Sequence, residues 1–336
     1  MSIGTAHIAF PMGDASRVGE ARRHAVQLAH ELGFDDTLAG RVALVVTELG
    51  NNLCRHARKG RMLLGTLGAT REIEVLALDE GPGIADLERS LGDGYSTGGT
   101  PGTGLGAVRR LAHSFDVHSE VPHGTVMVAR LRAEEPTAST AAAAVRSGAI
   151  SLPFPGEQAC GDGWALVQDA HRAALMVADG LGHGPEAAKA AQEALRLFAE
   201  EPWLPLRTQL ERAHAALRST RGAAVTLVHA DTREGLLHSA GAGNVLARVV
   251  SGTTDRTLLS QHGTVGLQMR TPEETTLPWP PHALLVVHSD GIESRWRPEL
   301  LHPVLGRDPV LAAALLMRDH CRGRDDATVV VLRRKD

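Results

Sequence analysis

Two α+β domains in series are the fold class this sequence predicts, and three observations point to it. In the first half, apolar residues recur every three or four positions up to about residue 57 and then fall into short runs of strand length. In the second half, short apolar runs bounded by Gly and Asp flank two stretches of helical periodicity. Between the halves, residues 133–147 read AEEPTASTAAAAVRS, which is small, polar and aperiodic. This places a linker at 135–146, between a domain at 1–134 and another at 147–336. A chain of 336 residues can bury two separate cores.

Taken in order, Val18, Ala21, Ala25, Leu28 and Leu32 form the stripe of one amphipathic helix, closed by Gly33. A second helix is expected over 36–57, with Val42, Val45, Val46, Leu49 and Leu53 on its apolar side. Strands follow at 62–67 and 72–78, then a glycine-rich stretch, a short helix over 104–112, and strands at 115–119 and 125–131. Helices and strands in separate runs give an α/β sandwich. The second half reads as strands at 149–152, 163–168 and 173–178, helices at 185–200 and 206–220, and strands at 224–230, 235–240, 245–250, 283–288 and 327–332. That order predicts two sheets with helices packed outside.

Composition narrows the function classes. A net charge of −4 and the lack of a basic stripe argue against nucleic acid as a partner. With 3% aromatic residues, base-stacking platforms are not expected either. Cys54, Cys160 and Cys321 are scattered, without CxxC spacing, as expected of reduced thiols in a cytoplasmic protein. No secretory leader and no run of about 18 apolar residues is visible, so no membrane partner is expected.

A first candidate site lies in the first half. Glu48, Asn52 and His56 are four apart and line one helix face beside the apolar stripe. An amide oxygen can hold Mg²⁺, and a carboxylate one turn away can orient or deprotonate a hydroxyl. Asp79 follows an apolar strand directly, and Gly81 and Gly83 around Pro82 permit a tight turn and close backbone approach. Such a carboxylate can accept a hydrogen bond from the amino group of adenine. Residues 92–106 contain seven glycines in fifteen positions, ending in Gly102-Thr103-Gly104-Leu105-Gly106 at the start of a helix. Backbone N–H groups at a helix start suit phosphate. Neither a Walker motif nor a strand-led Rossmann fingerprint is present.

These elements, in this order, resemble the GHKL ATPase fold. Glu48 to Asn52 is similar to its N box, Asp79 to Gly83 to its first glycine box, and Gly102 to Gly106 to its second. Gly124-Thr125 is similar to the late Gly-Thr whose hydroxyl supports the adenine-binding Asp. Asp93-Gly94-Tyr95-Ser96-Thr97-Gly98-Gly99 with the Gly-Leu-Gly-Ala-Val-Arg-Arg-Leu that follows narrows the likeness to RsbT-type switch kinases, relatives of the anti-sigma serine kinases, over about 5–132. The resemblance implies ATP with Mg²⁺, bound by Asn52, Asp79, Gly81, Gly83, Gly102, Thr103, Gly104, Leu105, Gly106 and Thr125. It makes Glu48 the catalytic base and Asn52 the Mg²⁺ ligand. The basic run after the N box, through Arg55 to Arg61, departs from the pattern on a surface expected to face a partner.

A second candidate site gathers single carboxylates at strand ends: Asp162, Asp179 before Gly180, Asp290 before Gly291, and Asp325 before Asp326. Carboxylates brought to one rim repel unless cations neutralise them. Oxygen ligands select Mg²⁺ or Mn²⁺, and two such ions can activate water and clamp a phosphate. The order, with Asp179-Gly180-Leu181-Gly182-His183-Gly184 and Ser289-Asp290-Gly291-Ile292, resembles PPM phosphatases of the SpoIIE and RsbX subclass over about 147–334. The resemblance implies an α-β-β-α sandwich holding two Mn²⁺ or Mg²⁺ ions. It makes Asp179 the catalytic bridging ligand, with the Gly180 carbonyl binding through water and Asp162, Asp290 and Asp325 completing the set. The general acid stays unassigned.

Together the resemblances imply a bifunctional signalling protein, a Ser/Thr kinase and a metal-dependent Ser/Thr phosphatase. The expected partner is a STAS-domain phosphoprotein of stressosome or anti-sigma-factor-antagonist kind. The alternative is a phosphatase whose first domain is a nucleotide-gated partner-binding module.

Overall fold

The strands at 72–79, 124–132 and 327–334 bury nearly every residue, so both of their faces are shielded from water. The computed structural model describes residues 1–68, 70–92, 104–133 and 143–335. The chain forms two units, His7–Glu135 and a second that joins Pro136–Asp336 to Met1–Ala6. Its strands are β1 (Ser2–Ile3), β2 (Ile8–Pro11), β3 (Arg61–Leu67), β4 (Glu72–Asp79), β5 (Ser114–Glu120), β6 (Gly124–Arg132), β7 (Val145–Leu152), β8 (Asp162–Gln168) and β9 (Arg172–Gly180). They continue as β10 (Ala223–Asp231), β11 (Leu236–Ala242), β12 (Leu246–Val250), β13 (Asp255–Leu258), β14 (Gly263–Thr264), β15 (Gln268–Met269), β16 (Thr275–Pro278), β17 (Leu284–His288) and β18 (Ala327–Arg334). The helices are α1 (Ala15–Glu31), α2 (Asp36–His56), α3 (Leu87–Ser90), α4 (Leu105–Leu111), α5 (Pro185–Glu200), α6 (Leu206–Ala216) and α7 (Pro309–Asp319).

In the first unit an antiparallel sheet in the order β2-β3-β4-β6-β5 packs α1, α2 and α4 on one face. The carboxylate of Asp14 caps α1 by accepting from Ser16 N–H, and that of Asp35 caps α2 by accepting from Leu38 N–H at 2.7 Å. The stripe Val42, Val45, Val46, Leu49 and Leu53 is buried against Met62, Leu64, Val75 and Ala77, so α2 is fixed in rotation about its axis.

In the second unit a six-stranded sheet, β1-β8-β9-β10-β11-β16, faces a five-stranded sheet, β13-β12-β17-β18-β7. Leu166, Leu175, Val177, Val228, Leu285, Val287 and Val330 fill the space between them. Helices α5 and α6 cover the outside of the first sheet with Ala191, Leu195, Phe198 and Leu210. Helix α7 covers the second sheet at β7 and β18. The result is the α-β-β-α layering expected.

Among the elements that the sequence does not announce, helix α7 and strand β1 have clear physical reasons. Helix α7 buries all of its residues from Pro309 to Met317, so it has no polar face to set a helical period. Strand β1 is two residues long and pairs with β8 through Ser2↔Leu166 and Ile3↔Ala165, a partnership far away in sequence. Where β7 passes under α7, a Cβ on Gly148 would stand 2.1 Å from Val310 N. Gly148→Ala is therefore expected to destabilise the second unit by about 1–3 kcal/mol through overpacking. A lowered denaturant midpoint with an unchanged slope would register it.

Candidate active sites

Helix α2 carries Glu48 and Asn52 half-buried, at the border of its apolar stripe, and His56 exposed at its last turn. Burial raises the Glu48 carboxyl above its ordinary range, and the Arg55 charge opposes this. The turn after β4 meets the end of the same helix. Glu80 N–H donates to Arg58 O at 2.9 Å, and a Cβ on Gly81 would come within 3.0 Å of His56 O. Asp79 Oδ1 accepts from Gly81 N–H at 2.7 Å, closing a tight turn. Gly83 has φ +75, and a Cβ there would stand 2.6 Å from Glu120 O, so the turn tolerates no side chain.

Asp79 faces Thr125 across the β4–β6 ladder. The Thr125 hydroxyl is buried and lies 2.8 Å from Ser119 Oγ, which accepts from Ile84 N–H at 2.7 Å. Ser119, unread in the sequence, thus ties the loop after the glycine turn to the Thr125 strand. Gly104 stands at the start of α4, and Leu105 and Gly106 are buried where α4 packs against α2. Gly102 and Thr103, with the stretch 93–99, lie outside the described residues.

The second site forms at one end of the two facing sheets. Asp162 opens β8 and Asp179 nearly closes β9, and the antiparallel register sets them directly opposite. In the other sheet β17 ends just before Ser289 and Asp290, while Asp325 and Asp326 lead into its neighbour β18. Ser289 joins the sheets. Its hydroxyl donates to Asp162 Oδ2 at 2.6 Å and accepts from Thr328 N–H at 2.9 Å. Burial, then the charges of Asp162, Asp290 and Asp325, pushes Asp179 well above the usual carboxylate range. Burial also pushes Asp162 up, against the Ser289 hydrogen bond. Asp290 is raised by burial and by Asp325, and Arg322 draws it back. Gly180 is buried so tightly on α5 that a Cβ would lie 2.1 Å from Ala187 O.

Asp325 and Asp326 separate in role by position. Asp325 is half-buried and its charge bears on Asp179 and Asp290. Asp326 is buried and accepts from Phe154 N–H at 2.8 Å. Asn244 was not picked out in the sequence. It sits in a turn after Gly243 (φ +111) and donates to Asp290 Oδ2 at 2.6 Å, a contact no local pattern announces. Cys160 has its thiol pushed up by burial and by Asp162 and Asp326, as befits a packed thiol and not a nucleophile. His183 stacks on Phe154 with ring centroids 4.2 Å apart, its Nδ1 3.4 Å from Glu157 Oε1.

A hard divalent cation fits this donor set. Asp162 Oδ1 is buried without a hydrogen-bond partner, and the charges of Asp162, Asp290 and Asp325 converge on Asp179 at one rim. Among the described residues, no three acidic, His or Cys side chains close around a single point. The rim is a cross-strand pair facing a second pair on the other sheet. No helix among the described residues is long and apolar enough to cross a membrane.

Comparison with known proteins agrees with this division. The Histidine kinase-like ATPase domain family matches residues 12–131, and the Stage II sporulation protein E (SpoIIE) family matches residues 169–335. Over 107 residues, 31% of this chain and 80% of the relative, the chain is 34% identical to the Serine/threonine-protein kinase RsbT of Bacillus subtilis (strain 168). A chain from "The bacterial stressosome: a modular system that has been adapted to control secondary messenger signaling" is 30% identical, with a TM-score of 0.53 over 56% of this chain and 99% of that one. RsbX in complex with magnesium shares the fold, with 19% identity and a TM-score of 0.53 over 60% of this chain and 98% of that one. These families imply a nucleotide in the first unit and divalent metal in the second. The chain belongs to the RsbT family of GHKL-type serine/threonine kinases through its first unit, and continues into a SpoIIE-type PPM phosphatase domain.

Proposed function

We propose that the protein sets the phosphorylation state of a STAS-domain signalling partner in both directions, its first unit adding phosphate to Ser or Thr and its second removing it. The observation that carries the proposal is the double rim of Asp162, Asp179, Asp290 and Asp325, stapled between sheets by Ser289. Two Mn²⁺ or Mg²⁺ ions, when bound there, supply an activated water and neutralise phosphoryl charge. Asp179, which faces Asp162 across the ladder and feels the charges of Asp290 and Asp325, would hold these ions together with those three carboxylates. Asn244 and Ser289 each hold one carboxylate oxygen, which fixes the direction in which the other points.

In the first unit, Glu48 takes the proton from the attacking hydroxyl, and burial suits it by raising its basicity. Asn52, one turn on, holds Mg²⁺ with ATP. Asp79 reads the adenine amino group, with Thr125 beside it on β6 and Gly81, Gly83, Gly104, Leu105 and Gly106 shaping the walls. Gly102 and Thr103 complete the phosphate contacts in this proposal. Asp79→Asn is expected to weaken ATP by roughly tenfold to a hundredfold, because the amide turns a donor toward the adenine amino group. Calorimetric titration of the folded variant checks this, and unchanged affinity would remove Asp79 from the site. The whole proposal is tested by incubating the Asp179→Asn chain with Mg·ATP and a STAS-domain protein, then giving the recovered partner to the wild-type chain with Mn²⁺. Phosphate should appear on the partner in the first step and leave in the second.

A further inference from the structure

Beside the carboxylate rim, Glu293, Ser294, Arg295, Arg322 and Arg324 line a cavity of ≈ 590 Å³. All five side chains are exposed. Glu293 lies 3.3 Å from His320 Nδ1, which leaves it engaged. Arg295, Arg322 and Arg324 form no ion pair with any described residue. Three guanidiniums around one cavity repel one another, so an anion entering it relieves that repulsion and gains forked hydrogen bonds.

The backbone under these arginines is built, not loose. Ile292 and Cys321 form a bridge between the two segments. Glu293 N–H donates to His320 O at 2.9 Å, and Arg322 N–H donates to Gly291 O at 2.9 Å. Trp296 is buried, donates its indole N–H to His288 Nε2 at 3.1 Å, and lies under the Arg248 guanidinium at 4.4 Å from the ring centroid. Arg295 therefore stands next to a fixed anchor. The same segments carry the rim, since Asp290 precedes Gly291 and Asp325 follows Arg324.

We propose that this cavity is a docking subsite for an acidic stretch flanking the phosphorylated Ser or Thr of the protein substrate. This rests on the phosphatase reading of the neighbouring rim. An extended peptide advances about 3.3 Å per residue, so a phosphoresidue at the rim brings its neighbours to the arginines within a few positions. Three guanidiniums spread over two segments exceed what one phosphoryl group engages, and they match several carboxylates in sequence.

The test uses the full chain with Mn²⁺, p-nitrophenyl phosphate, and three phosphothreonine peptides differing only in Asp/Glu, Ser/Gly or Lys flanks. The acid-flanked peptide should exceed the neutral one in kcat/KM by about tenfold, through KM, and the advantage should shrink as salt is raised. In Arg295→Glu/Arg324→Glu that ratio should fall to one or below, and the Lys-flanked peptide should become the best of the three. Fluorescence anisotropy of the same peptides on the Asp179→Asn chain reads docking without hydrolysis. A wild-type ratio of one in both assays would overturn the subsite, as would a ratio that survives the double reversal. Equal losses for acidic and neutral peptides would also overturn it, by showing that the arginines hold the phosphate itself. Failure of the phosphatase reading looks different: wild type would leave p-nitrophenyl phosphate intact while anisotropy still ranked the flanks.

Discussion

Asp179→Asn is expected to lower Mn²⁺-dependent hydrolysis of a phosphoserine or phosphothreonine protein by roughly a thousandfold, about 4 kcal/mol of transition-state stabilisation. The charges of Asp162, Asp290 and Asp325 all bear on Asp179. Asparagine keeps its size and lets β9 form, but it removes the charge that would offset two cations. The variant should also lose Mn²⁺-induced thermal stabilisation, which in the wild type follows from binding to the folded state alone. Removing one like charge from a crowded rim should leave the metal-free fold at least as stable as the wild type. Hydrolysis at the wild-type rate would sink the assignment, and so would an unchanged Mn²⁺ shift in melting temperature.

The second large effect is expected at Glu48, and it has to be read in the Asp179→Asn background, where phosphate placed on the partner remains. Glu48→Ala should leave Mg·ATP bound and cut phosphotransfer by about a hundredfold or more, the contribution of a positioned general base. Asn52→Ala should instead weaken the Mg²⁺-dependent part of ATP binding, because its amide is assigned to the ion and not to the hydroxyl. Phosphopartner accumulation by autoradiography, with ATP affinity measured in parallel, separates the two roles. If the Asp179→Asn chain binds ATP and phosphorylates none of several STAS-domain proteins, the first unit is better described as a nucleotide-gated docking module.

The residues proposed to carry the chemistry stand out in the sequence because each is announced locally. Glu48 and Asn52 are one helical turn apart beside an apolar stripe, and Asp79 ends an apolar strand before a glycine turn. Asp162, Asp179, Asp290 and Asp325 likewise sit where a strand meets its loop. Helix α7 was not legible because complete burial erases the polar side that gives a helix its period. Asn244 and Ser289 were not singled out as supports because each acts on a carboxylate at least 46 positions away, and nothing in a local window encodes that meeting.

The sequence by itself therefore determined the kinds of element, the division into a nucleotide-type half and a phosphatase-type half, and which side chains terminate which strands. Those properties follow from periodicity and turn chemistry, which act over a few residues. Only the tertiary structure decided which termini share an edge. Antiparallel register sets Asp162 opposite Asp179, and sheet-on-sheet packing brings Ser289 to Asp162 across 127 positions of sequence. It also paired residues 2–3 with β8 and joined Arg295 to Arg322 and Arg324 around one cavity. Such contacts are chosen by the burial of whole faces, a nonlocal free energy that no short stretch of chain contains.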